Sequence, residues 1–169
     1  MRKFDLPSTD LVGAAWRDGP PGRLDDPDLY DGMAWRRAVG YLIDALVLFA
    51  LIAGLWMLVI LSLGLLWPIK LLITPLLPVA YHTYFVGRSG ATPGMQLMDV
   101  EIRSWTGRRP DYVQAFLMTA LFYATVLPTG FLVLVVALFN DRQRTLHDFL
   151  AGTLGTRRSR LAAISPQTA

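Results

Sequence analysis

The 169-residue chain contains no cysteine. That excludes disulfides, thiolate metal sites, a cysteine nucleophile, palmitoylation and a lipoprotein anchor. Histidine is nearly absent as well. His82 and His147 are the only two, too few for a conventional zinc site, and no metal or cofactor is expected. Charge is scarce: 17% of residues are charged and 53% are hydrophobic, where soluble domains carry about 25% charged residues. The scarcity is concentrated in runs. Residues 38–86 hold only Asp44, Lys70 and His82 as Asp, Glu, Lys, Arg or His, and residues 112–139 hold none. A chain this short cannot hide so much apolar surface in one core. The excess must face lipid, so the sequence reads as an integral membrane protein.

Catalytic signatures are missing too. The chain has no phosphate-binding loop, no HExxH helix and no G-x-S-x-G elbow, and no spacing singles out a Ser-His-Asp triad. An enzyme is not expected. No aromatic-rich basic platform supports nucleic-acid binding, and the arginines of residues 88–160 lie beside apolar segments, where anionic lipid head groups are the natural neighbours. No apolar run follows Met1-Arg2-Lys3-Phe4-Asp5-Leu6-Pro7, so no signal peptide is read and the first span directs insertion.

The organisation follows from the runs. Residues 1–35, with four Pro, four Gly and seven Asp, read as a flexible acidic tail whose Tyr30, Met33 and Trp35 reach the interface. Ala38 to Leu66 is 29 residues, long enough to cross about 30 Å of hydrocarbon with tilt. Trp67-Pro68 closes it, and Ile69 to Val86 returns as the second arm of a transmembrane hairpin, with Lys70 snorkelling to the head groups. Met98, Val100 and Ile102 then alternate with Asp99, Glu101 and Arg103, the period of a strand. This predicts a short β-ribbon on the membrane surface that leans on helices or lipid, since two strands alone are marginal in water. Tyr112 to Phe139 is a third apolar segment, broken at Pro128-Thr129-Gly130. Leu146, Phe149, Leu150 and Leu154 share one face of an amphipathic helix that Gly152 or Gly155 would end.

The expected fold is therefore all-α: a two-helix hairpin, a surface ribbon, a third hydrophobic segment that spans or re-enters, and a C-terminal amphipathic helix. The domains are a tail (1–35), a transmembrane unit (36–156) and a flexible end (157–169). Arg36, Arg37, Arg88, Arg103, Arg108 and Arg109 agree on a cytoplasmic side for the N-terminus. A single third span would place Arg142, Arg144, Arg157, Arg158 and Arg160 outside, and two full spans need about 40 residues where 28 are available. A segment that enters and returns satisfies both constraints. It puts the C-terminus in the cytoplasm, provided the turn is covered by protein.

Asp44 is the strongest chemical signal, since an aspartate near a helix centre costs about 2.5–3.5 kcal/mol to insert. Arg37 lies seven residues earlier. Seven steps of about 100° fall about 20° short of two turns, so Arg37 and Asp44 share one stripe about 10 Å apart along the axis. The stripe faces protein or a water-filled crevice, either as a proton or cation site or as a polar pair fixing helix packing. Asp148 is either a solvated residue near a helix start or a partner for Arg37. His82, between Tyr81 and Tyr84, belongs to an interfacial aromatic belt or to a proton relay, and His147 is a second such candidate. Pro75 and Pro78 free the carbonyls of Leu71 and Thr74, as in ion-conducting helices and ordinary membrane helices alike.

These residues resemble the RDD family of bacterial membrane proteins. Arg37 to Asp44, in Trp35-Arg36-Arg37-Ala38-Val39-Gly40-Tyr41-Leu42-Ile43-Asp44, looks like its first-helix motif. Thr92-Pro93-Gly94-Met95 followed by Val100 is similar to the segment after its second span. Arg144-Thr145-Leu146-His147-Asp148-Phe149-Leu150-Ala151-Gly152-Thr153 resembles its closing motif, with Asp148 as the second aspartate. The resemblance implies a bacterial inner-membrane protein of the cation/proton transport type, sodium/proton exchange included, or a module of a larger membrane assembly. It also implies that Arg37, Asp44 and Asp148 gather at one face of the membrane. Three hydrophobic segments cannot enclose a pathway alone, so a homo-oligomer or other membrane proteins are the expected partners, with the lipid bilayer.

Overall fold

The computed structural model describes residue 24, residues 26–129 and residues 144–164. Most of the acidic tail and the stretch 130–143, with Arg142, lie outside the described residues. The architecture is mostly helical, with two long apolar helices and one two-stranded sheet. A 3-10 turn, Pro27–Leu29, precedes α1 (Met33–Leu61), and α2 (Trp67–Ser89) returns beside it. Both are long and apolar enough to cross a membrane. Phe49, Ile60, Leu61, Leu71, Leu72 and Leu76 stand exposed along them, as a lipid-facing surface requires.

The boundary between the two helices corrects the sequence reading. Trp67-Pro68 opens α2 and does not close α1, because proline fits the first helical turn, where its missing N–H has no partner to lose. The actual connection is residues 62–66. Leu63 and Gly64 take positive φ there, and Ser62 Oγ accepts the Leu66 N–H at 3.1 Å. Lys70 lies over the Trp56 ring at 3.8 Å and near that of Trp67 at 5.0 Å, capping this end with an aromatic and cationic cluster.

At the other end a short helix α3 (Pro93–Leu97) leads into β1 (Val100–Ser104), and α4 (Tyr112–Thr129) follows. Helix α4 continues through Pro128 to Thr129, and Gly130, the last residue of the expected break, lies outside the described residues. From Arg144 on, the chain forms α5 (Leu146–Ala151), β2 (Thr153–Arg157) and α6 (Arg158–Ile164). Gln114, in the first turn of α4, donates to the carbonyls of Ala151 (3.0 Å) and Gly152 (3.2 Å). By residues 151–152 the chain is thus back at the end where α4 began.

The ribbon exists, but its second strand comes from the region read as amphipathic helix. β1 pairs antiparallel with β2, with Val100 opposite Arg157, Ile102 opposite Gly155 and Ser104 opposite Thr153. Gly152, at φ 63°, stops α5 after six residues, so Leu154 belongs to the sheet. Helix α6 lies within the stretch expected to be flexible. Its first turn is held by Asp99, whose carboxylate accepts the Ser159 N–H at 2.8 Å.

The two-stranded sheet is stable because both faces are covered. Val100 and Ile102 pack with Met33, Val86, Ala115, Met118 and Ala151 between the helices. Leu154, on the opposite face, packs with Leu24, Leu29, Tyr30 and Leu161. Tyr30 and Met33 are therefore core residues, while Trp35 is exposed.

Candidate functional site

Asp44 is fully buried at the meeting point of three helices. Its Oδ1 accepts the Tyr81 hydroxyl of α2 at 2.8 Å and the Gly94 N–H of α3 at 2.9 Å. Its Oδ2 accepts the Thr92 hydroxyl at 2.5 Å. Thr92 also caps α3, since its oxygen accepts the Met95 N–H at 3.2 Å. The close approach of α1 and α3 depends on two glycines. A Cβ on Gly94 would lie 2.1 Å from the Gly40 carbonyl oxygen and 2.9 Å from the Asp44 carboxyl. All three donors to Asp44 are neutral, and among the described residues no cationic group touches it.

Asp148 is the opposite case. It too is fully buried, but the Arg37 guanidinium grips both carboxylate oxygens, Nη1 on Oδ2 and Nη2 on Oδ1 at 3.1 Å. The Thr145 N–H (3.1 Å), the Thr145 hydroxyl (2.8 Å) and the Thr153 hydroxyl (3.2 Å) also donate to it. Asp148 stands at the third position of α5, with Thr145 as N-cap, so a capping box presents the carboxylate to Arg37. Burial alone would raise the Asp148 carboxyl. The Arg37 charge, His147 and these donors outweigh it and hold it well below the usual carboxylate range. Gly155 of β2 completes the seat, because a Cβ there would lie 2.6 Å from Arg37 Nε. Arg144 packs over Phe149 and Trp105 and donates to the carbonyls of Thr153 (3.1 Å) and Asp148 (3.3 Å).

Arg37 and Asp44 thus lie on one inward stripe of α1, as their spacing predicts, yet they serve different partners. Arg37 fastens α1 to α5 and β2, and Asp44 fastens it to α2 and α3. Asp148 meets Arg37, while Asp44 sits deeper along the helix and touches neither.

His82 is buried between the helices. Its Nδ1 donates to the Pro78 carbonyl at 2.9 Å, with the Tyr123 hydroxyl 3.4 Å away. His147 packs edge-on against Phe122, centroids 5.1 Å apart, with Nε2 2.8 Å from Thr145 Oγ1. Burial pushes its imidazole below the ordinary value. Asp148 pulls it up, and the nearby Arg37 charge lowers it further. Among the described residues no group of three or more His, Asp or Glu side chains could hold a metal ion. A separate ion cluster occupies β1, where buried Glu101 meets Arg103 (2.8 Å) and Arg109 (3.0 Å).

The sequence reading missed Tyr81, Thr92 and Gly94 as donors to Asp44, and Thr145, Thr153 and Gly155 as the seat of Arg37–Asp148. Thr92-Pro93-Gly94 carried a signal, since a Thr-Pro pair ahead of a glycine reads as a cap on a short helix. Tyr81 carried none, being 37 residues from Asp44.

A family model for the RDD family matches residues 32–152, a span that holds Arg37, Asp44 and Asp148. The chain belongs to the RDD family. Comparison with curated proteins and with solved structures finds no match. With its two apolar helices this RDD protein is of the membrane type, and the matched span runs from the entry of α1 to the cap of α5.

Proposed function

We propose that this RDD protein handles a proton or a small cation at Asp44, in the bacterial inner membrane. One contrast carries the reading. Among the described residues two aspartates are fully buried: Asp148 is balanced by Arg37, whereas Asp44 is held by neutral dipoles only. An uncompensated buried carboxylate is costly, and a proton or cation that comes and goes relieves that cost. Arg37 and Asp148 set the structure at the mouth of the site. Arg36, Arg88, Arg103, Arg108, Arg109, Arg144 and Arg157 belong to the end of the fold away from Lys70, which supports a cytoplasmic placement of both termini. Three apolar helices are few to enclose a pathway, so the active form is a homo-oligomer, and no enzymatic chemistry is assigned to it.

A second reading has its own support. The Asp44 carboxylate ties three helices together, and the Gly40–Gly94 contact closes the space beside it, as a packing clamp in an accessory subunit would. Cation-driven proton flux in proteoliposomes separates the two. Wild type and Asp44→Asn are compared at equal insertion, with sodium, potassium and lithium gradients. Flux lost in the variant supports the first reading. Wild-type flux no greater than in empty liposomes overturns it and favours the clamp.

A further inference from the structure

A second polar feature lies apart from the Arg37–Asp148 pair and the donors to Asp44. It runs along a ladder of rings between α1, α2 and α4. His147 packs on Phe122 (5.1 Å), Phe122 on Tyr41 (5.3 Å) and Tyr123 (5.2 Å), and His82 lies 6.0 Å from Tyr123 and 6.1 Å from Tyr41. Thr119 stands one turn before Phe122 and Tyr123 on the same helix. His82, Thr119 and His147 are all more than nine-tenths buried, and among the described residues each has a polar atom without a partner: His82 Nε2, Thr119 Oγ1 and His147 Nδ1.

Their hydrogen-bond roles follow from their other contacts. His82 Nδ1 faces the Pro78 carbonyl, which only accepts, so Nδ1 carries the hydrogen and Nε2 is a lone pair. Thr145 has a single hydroxyl hydrogen, given to the Asp148 carboxylate at 2.8 Å. Its oxygen must accept from His147 Nε2, which leaves Nδ1 as the lone pair. Thr119 departs from its helix neighbours. Thr125 and Thr129 donate to carbonyls four residues back, at 2.7 Å and 2.5 Å, but Thr119 does not. The ladder therefore offers two acceptors and one hydroxyl that can both donate and accept.

We propose that His82, Thr119 and His147 line a buried hydrated site that holds water along the Tyr41–Phe122–Tyr123 ladder. Water is the occupant of fitting chemistry: it donates to each imidazole lone pair and exchanges donor and acceptor roles with the Thr119 hydroxyl. A donor-free apolar ligand would leave both lone pairs bare. His147 lies beside the Arg37–Asp148 pair, and His82 adjoins Tyr81, which holds Asp44. The water therefore leads from the arginine-rich end toward the Asp44 level. This deepens the proposed function and rests on it for its role, though not for its existence.

The test uses the 169-residue protein in bilayers, uniformly labelled with 13C and 15N so that histidine rings and leucines are both read, and water-edited solid-state NMR. The chain has two histidines, so His82→Gln and His147→Gln assign both rings. The expected result is rapid magnetisation transfer from water to both imidazoles, faster than to the lipid-facing Leu71 and Leu72. Thr119→Val slows that transfer severalfold, and Thr119→Ser restores it. Transfer to the imidazoles no faster than to Leu71 and Leu72 in the wild type overturns the proposal, whatever Thr119→Val does to folding. Wet imidazoles without ion flux keep the hydrated site and overturn only its transport role. Flux with dry imidazoles does the reverse.

Discussion

The α-carbon of Gly94 lies so close to Gly40 that a Cβ there would sit 2.1 Å from the Gly40 carbonyl oxygen. Both contacting groups are backbone, and neither can rotate away. Gly94→Ala must therefore push α3 off α1 and lengthen the Gly94 N–H bond to Asp44. A loss of about 3 kcal/mol or more is expected, at the upper end of overpacking costs. Thermal unfolding in detergent checks it. Gly155→Ala, which meets the Arg37 side chain, should cost less.

Thr92 has two tasks, donating to Asp44 and capping α3. Thr92→Val removes both and leaves a buried carboxylate oxygen short of a donor, an expected loss of about 2–3 kcal/mol. Thr92→Ser should recover most of it. Equal stability of the valine and serine variants would show that the hydroxyl is not what matters.

The Arg37–Asp148 pair predicts strong coupling. Asp148→Asn leaves the guanidinium without a counter-charge and weakens the capping box, and a loss of about 3–5 kcal/mol is expected. Arg37→Lys keeps the charge but loses the two-pronged grip, so it should cost less than Asp148→Asn. Replacing both with apolar residues of similar volume should cost less than the sum of the single changes. A double-mutant cycle reads that coupling.

Stability should also depend on pH through His147. Its imidazole is lowered in the folded state, so the unfolded chain binds more protons as pH falls below about 6.5, the ordinary histidine value. Stability is then full above that pH and declines below it, by at most about 1.4 kcal/mol per pH unit from this group. His147→Gln should flatten the slope between pH 7 and pH 5. Asp148 adds nothing in that window, because its carboxyl is also lowered and its contribution fades only below about pH 4.

Much of this arrangement is local in the sequence and could be read there. Runs poor in charge mark the two long helices, a seven-residue spacing puts Arg37 and Asp44 on one face, and alternation marks β1. For Asp148 the residues left two readings open, a solvated side chain or a partner for Arg37, and the family resemblance favoured the second. What stayed hidden is set by distant neighbours. Thr153-Leu154-Gly155-Thr156-Arg157 has no apolar strand alternation, since Gly155 is small to seat Arg37 and Leu154 is the one apolar side chain the strand gives the far face. Asp99 caps α6 from 60 residues away, and Tyr81 reaches Asp44 across two helices.

The absence of cysteine makes topology directly measurable. Arg37 and Asp148 are bonded, so the entry of α1 and the C-terminal strand lie at one end of the fold, with the Lys70 cluster at the other. Single cysteines at exposed Leu65, Arg108 and Arg160 report the two ends without background from native thiols. In right-side-out membrane vesicles a membrane-impermeant maleimide should label Leu65→Cys and leave Arg108→Cys and Arg160→Cys unmodified until the membrane is opened. Labelling of Arg160→Cys as well as Leu65→Cys from outside, with Arg108→Cys unmodified, would mean that the tail crosses the membrane. That would break the Arg37–Asp148 contact, because an arginine on one side of the membrane cannot reach an aspartate on the other.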